Sequence, residues 1–140
     1  MNRVLGMLLL WLPVLAGAQG AAQVWIVTFK APALAAYDGA PVVADARGKA
    51  LAPTAASNGR RLDLQSSAAR AYLQRLDQQQ AAFLVALNGK DGTPPQPLFR
   101  YRVVANGMAL ALDAAQVQAA RAMPDVAAVE PDFSRRTRTA

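Results

Sequence analysis

The stretch PLFRYRVVANGMALALD, residues 97–113, narrows the choice of fold more than any other part of the chain. Apolar residues alternate with polar or small ones on either side of Asn106-Gly107, the dipeptide that most readily takes the positive φ angles of a tight hairpin turn. Alternation with period two marks strands whose two faces meet different surroundings. Two antiparallel strands are therefore expected, at about 98 to 104 and 108 to 112. In the second, Met108, Leu110 and Leu112 point one way while Ala109 and Ala111 point the other. One face is bulky and the other nearly flat.

The elements around this hairpin follow from the same reading. QVWIVTFK, at about 23 to 30, is dominated by β-branched and aromatic residues and predicts a strand. Trp25, Val27 and Phe29 share one side of it and Val24, Ile26 and Thr28 the other; both sides are mostly apolar, a pattern compatible with cover on both. Residues 31–62 collect Pro32, Pro41, Pro53, Gly39, Gly48 and Gly59 among alanines, which predicts a long connection with one turn of helix around PALAAY. SSAARAYLQRLDQQQAAFLVALNGKDG keeps Ala69, Leu73, Leu76, Phe83, Leu84 and Leu87 on one helical face, opposite Arg70, Gln74, Asp77 and Gln78. Ser66 is placed to cap its start and Gly89 to end it, and Tyr72 reads as an ordinary core or boundary residue. Asp113 with Gln116 forms a capping-box pattern that opens a short helix, AAQVQAARAM, stopped by Pro124. DVAAVE supplies a last short strand.

The order strand, helix, strand, strand, helix, strand is the split βαβ, ferredoxin-like plan: an α+β fold with a four-stranded antiparallel sheet and both helices on one face. The other face of that sheet stays uncovered, and with apolar or small side chains on it, it is expected to be an interaction surface.

At 140 residues, 54% of them hydrophobic, there is room for one packed domain. The first residues carry Arg3, an apolar run from Val4 to Leu15, and Ala16-Gly17-Ala18, which read as a secretory signal peptide over 1–18 cleaved between Ala18 and Gln19. The run is shorter than the roughly 20 residues that span a bilayer and is broken by Pro13, so no stable membrane anchor is expected after cleavage. The protein is thus expected outside the cytoplasm, secreted or periplasmic. With neither Cys nor His, the chain lacks the usual zinc and copper ligands and any Ser-His-Asp or Cys-His machinery, so neither metal, cofactor nor catalysis is expected. The net charge of +6 comes partly from three arginines in the last six positions and otherwise from scattered residues such as Arg100 and Arg102, so nucleic acid is not an expected partner.

Several segments in this order carry a family likeness. VWIVTFKAPALAAYDG, RLDLQSSAARAYLQRLDQQQAAFL, YRVVANGMALAL and above all MPDVAAVEPD resemble the propeptides of secreted subtilisin-like serine proteases, a family that includes free-standing inhibitors. The resemblance covers about 24 to 132. It implies a domain that docks the uncovered sheet face on surface helices of the protease, lays its C-terminal segment in the active-site cleft, assists folding of the protease and then inhibits it.

The residues can be set against that task. Glu130 and Asp132 lie two apart in an extended segment, so their carboxylates emerge on one side, about 7 Å apart at ~3.3 Å per residue. Alone, such a pair reads as solubilising a strand end. With the resemblance, the two match positions at which family propeptides cap a pair of protease helices, where free N–H groups and the helix dipole favour an anion. Ala109 and Ala111 are either filler or a flat seat for partner helices. The tail 133–140 has no apolar periodicity, so it is free to be extended. Phe133, Ser134, Arg135 and Arg136, on to residue 138, are the segment expected in the cleft, where an extended chain adds to the edge of a substrate site. Pro131 has no N–H and must sit where none is needed. The arginine-rich stretch also fits a solvated terminus or a dibasic cutting site. A free-standing inhibitor and the propeptide of a precursor whose catalytic part is not in this chain both remain open, as does a periplasmic ferredoxin-like ligand-binding module of another class.

Overall fold

The computed structural model describes residues 22–45, 47–55, 61–88 and 91–133. The leader and its junction at Ala18 and Gln19, Gly89, and the tail from Ser134 on lie outside the described residues.

Seven elements follow in order: β1 Gln23–Phe29, a 3-10 turn Leu34–Ala36, α1 Ser67–Ala86, β2 Pro97–Tyr101, β3 Gly107–Leu112, α2 Ala114–Ala122 and β4 Val126–Pro131. The four strands form one antiparallel sheet in the order β2-β3-β1-β4, the ferredoxin-like arrangement expected from the element order. The ends of the helices are set locally. The Ser66 hydroxyl accepts from the Ala69 N–H at 3.1 Å, and Asp113 and Gln116 make the reciprocal capping box at 2.8 and 3.1 Å. Each such cap is worth about 1 kcal/mol.

Alternation along the strands sorts their side chains between two very different faces. Val27, Phe29, Met108, Leu110, Leu112, Val126 and Val129 are buried beneath Phe83, Leu84 and Leu87 of the α1 end and Val117 and Ala120 of α2. Phe29 meets Phe83 edge to face, with ring centroids 5.1 Å apart. The opposite face carries Val24, Ile26 and Thr28 of β1, all only partly exposed, and no element of the described residues lies over it. Of the two apolar sides of β1, the helices cover one, and the other belongs to the open face expected of this plan.

Three features correct the sequence reading. First, Asn106-Gly107 is not the centre of a two-residue turn: β2 ends at Tyr101, Gly107 opens β3 opposite it, and residues 102–106 make the connection. Gly107 is needed for close approach, since a Cβ there would stand 2.4 Å from the Val27 carbonyl oxygen. Second, α1 buries Gln80 besides its apolar residues and Tyr72, which lies in the core as expected. Gln80 Nε2 donates to the Tyr101 carbonyl at 3.0 Å, the Asn106 Oδ1 at 3.2 Å and the Gly107 carbonyl at 3.2 Å, while its Oε1 has no partner among the described residues. Asn106 Nδ2 donates in turn to the Ala31 carbonyl at 3.0 Å and Gln79 Oε1 at 3.1 Å. A buried polar knot thus ties the β2-β3 connection to α1 and to the end of β1. Asp77, assigned to the polar face, is ion-paired with Arg102 at 2.7 Å.

Third, the 31–62 connection packs a core of its own. Leu34, Tyr37, Ala69, Tyr72 and Leu76 form a second buried cluster against the first half of α1, with Val43, Leu51 and Leu62 around it. Tyr37 and Tyr72 stack at 4.0 Å between ring centroids, and Tyr72 Oη donates to the Pro32 carbonyl at 2.8 Å. Burial, with Tyr37 adding a smaller push, raises the Tyr72 hydroxyl pKa to about 12.

Candidate functional site

The uncovered face can be read row by row from the register. Phe99 pairs with Ala109, Ala109 with Ile26 and Ile26 with Glu130, so one row crosses the sheet from edge to edge. The next row is Tyr101, Gly107, Thr28 and Ala128. On the other side of the first, Ala111 pairs with Val24, whose carbonyl accepts from the Asp132 N–H at 2.9 Å. To the centre of this face β3 contributes only the small residues Gly107, Ala109 and Ala111, beside Thr28, Ile26 and Val24 of β1.

Glu130 and Asp132 stand opposite Ile26 and Val24, which places both carboxylates on the uncovered side of an edge strand, and both residues are exposed. Between them Pro131 faces Trp25. In an antiparallel ladder inward and outward hydrogen bonding alternate, so the Pro131 nitrogen lies on the outer edge, where no ladder bond is lost. That edge is tended from the helix side: Arg121 of α2 stacks over Trp25 at 5.5 Å and donates to the Val129 carbonyl at 3.3 Å. β4 is therefore held in place up to the point where the tail leaves it.

The other expected site residues fall as follows. Ala111 is exposed, whereas Ala109, 3% exposed, is shielded by its cross-strand neighbours Phe99 and Ile26 and shapes the floor. Phe133 is 78% exposed. Ser134, Arg135 and Arg136 lie outside the described residues. Phe99 and Tyr101 were not singled out by the sequence reading; their period-two spacing in LFRYR is the signal that places them on the face of Ala109. Among the described residues no three His, Cys, Asp or Glu gather in a way that suits a metal ion. The carboxylates whose pKa is held down, Asp45 and Asp91, lie in turns of the connecting segments, Asp45 through the Lys49 and Arg47 N–H groups and Asp91 through that of Thr93.

A four-stranded antiparallel sheet with two helices on one face, and two acids at the edge of the other, defines an α+β domain of the ferredoxin-like plan. The chain belongs to the peptidase inhibitor I9 family, whose family model matches residues 24–138. The domain of that family is a subtilisin-type propeptide or inhibitor and not a catalytic domain, so a subtilisin-like peptidase is the kind of partner the chain serves. No curated protein and no solved structure matches the chain.

Proposed function

We propose that this protein is an exported, non-enzymatic inhibitor of a subtilisin-like serine endopeptidase, freed of its leader between Ala18 and Gln19. Ala109 and Ala111 form the seat on which surface helices of the peptidase rest, Glu130 and Asp132 cap the N-termini of two of those helices, and the chain from Phe133 to Arg136 enters the active-site cleft. One observation carries this reading. The register sets both acids on the same side of the sheet as the small residues of β3, on the edge strand that leads into the tail. An anion at a helix N-terminus is worth about 0.3–1 kcal/mol when exposed and up to ~2 when partly buried.

The test is a titration of the purified chain into secreted subtilisin-like peptidases. Inhibition is expected, weakened by about 0.6–2 kcal/mol, or ~3- to 30-fold, when Glu130→Ala and Asp132→Ala are combined with both contacts exposed. Absence of inhibition across the panel overturns the function. Inhibition unaffected by the double variant overturns the anchoring role. The family match fits a propeptide acting on its own peptidase equally well. Adding the chain to a denatured subtilisin-like peptidase separates the roles, since a folding chaperone restores activity after its own degradation and a pure inhibitor does not.

A further inference from the structure

The exposed apolar surface of this protein is concentrated in one place. Of the nine large hydrophobic residues exposed among those described, five lie in one short run: Leu98, Phe99, Tyr101, Val103 and Val104. The other four are scattered along the chain, and within this run Phe99 and Tyr101, two apart on β2, make an aromatic patch on one face. Phe99 is 67% and Tyr101 38% exposed, and both stand on the uncovered face, in the rows that end at Glu130 and Ala128.

The backbone beneath the patch is pinned: the Tyr101 carbonyl is held by Gln80, Arg102 is paired with Asp77, and the Arg102 and Val103 carbonyls accept from the Leu34 and Ala35 N–H groups at 2.8 and 2.9 Å. Aromatic side chains have only two rotatable bonds and so lose little freedom on binding, and such residues carry a large share of the energy at protein interfaces. Two cavities among the described residues, about 460 and 190 Å³, lie on the helix side along α1 and α2, away from Phe99 and Tyr101. Exposed aromatic side chains on an open sheet face suit a macromolecular surface.

We propose that Phe99 and Tyr101 form a second, apolar anchor for the peptidase, at the opposite edge of the sheet from the acids. This rests on the inhibitor reading and deepens it by describing the partner. β2 and β4 are separated by three strand spacings, about 14 Å, so the peptidase must present an apolar recess roughly that far from the N–H groups that meet Glu130. The shallow floor of Gly107, Ala109 and Ala111 lets both contacts form together.

The experiment compares the wild-type chain with Phe99→Ala, Phe99→Lys, Tyr101→Ala, Glu130→Ala and the double variant Phe99→Ala/Glu130→Ala against one inhibited subtilisin-like peptidase, at low and high salt. Melting temperature and sedimentation are measured in parallel. The expected result is an inhibition constant raised about tenfold or more by either Phe99 variant, with an unchanged melting temperature and little dependence on salt. The loss caused by Glu130→Ala is expected to shrink in salt, and the Phe99 and Glu130 effects to multiply, because sites more than ~10 Å apart act independently. Wild-type inhibition with undiminished potency of the Phe99 and Tyr101 variants overturns the second anchor and leaves the inhibitor reading standing. A wild-type dimer that Phe99→Lys converts to a monomer of equal potency also overturns it, since the patch is then a contact between copies. Failure of the wild type to inhibit any peptidase overturns both.

Discussion

The two faces of this sheet are made by the same four strands and answer opposite demands. On the helix side, Met108, Leu110 and Leu112 of β3 are completely or almost completely buried; one residue along, Ala111 is open to solvent. The first set holds the fold together, and the second is shaped so that something else can come close. A single strand serves both because its side chains alternate, so stability and recognition are written into the same segment without competing for the same residues.

The largest loss of stability is expected from Leu110→Ala, which leaves a cavity in the core beneath the helices. A loss of about 2–5 kcal/mol is expected in chemical denaturation. Its counterpart across the strand, Ala111→Tyr, is expected to change stability by no more than about 0.5 kcal/mol. The same substitution fills the shallow face, so inhibition is expected to fall sharply while folding does not. Equal effects of the two variants on stability would show that the uncovered face is structural after all.

An intermediate effect is expected from Gln80→Leu. The side chain keeps its bulk, but the Tyr101 and Gly107 carbonyls and Asn106 Oδ1 lose a donor, at about 1–3 kcal/mol. Denaturation measures the loss, and amide exchange at Gly107 is expected to quicken, since the knot closes that end of β3.

The smallest effect belongs to the second cluster. Tyr72 is raised from 10.0 to about 12 by its burial, so its neutral form is favoured in the folded state. A raised pKa gives stability that is complete below pH 10 and is lost as pH climbs through the folded value. Alkaline titration followed by phenolate absorbance is expected to show one late-ionising tyrosine, absent in Tyr72→Phe. Absence of a late-ionising group that Tyr72→Phe removes would mean that the Tyr37-Tyr72 stack is open in solution.

Much of the fold was legible before any coordinates. The caps at Ser66 and Asp113 and the face shared by Met108, Leu110 and Leu112 depend on residues within a few positions of one another, where periodicity and hydrogen-bonding chemistry act directly. Asn106-Gly107 was misread for the complementary reason. Its pattern is that of a turn, but Asn106 is buried by bonds to Ala31 and Gln79, and Gly107 is set by the nearness of Val27. The candidate site was half legible. Alternation within β3 and β4 sets which residues share a side, but only the sheet order β2-β3-β1-β4 brings Phe99, Ala109, Ile26 and Glu130 into one row. Neighbouring residues alone decided which elements form and which face of each is apolar. The tertiary structure decided what stands beside what, because strand pairing and burial join residues far apart in the chain, and no local pattern records those distances.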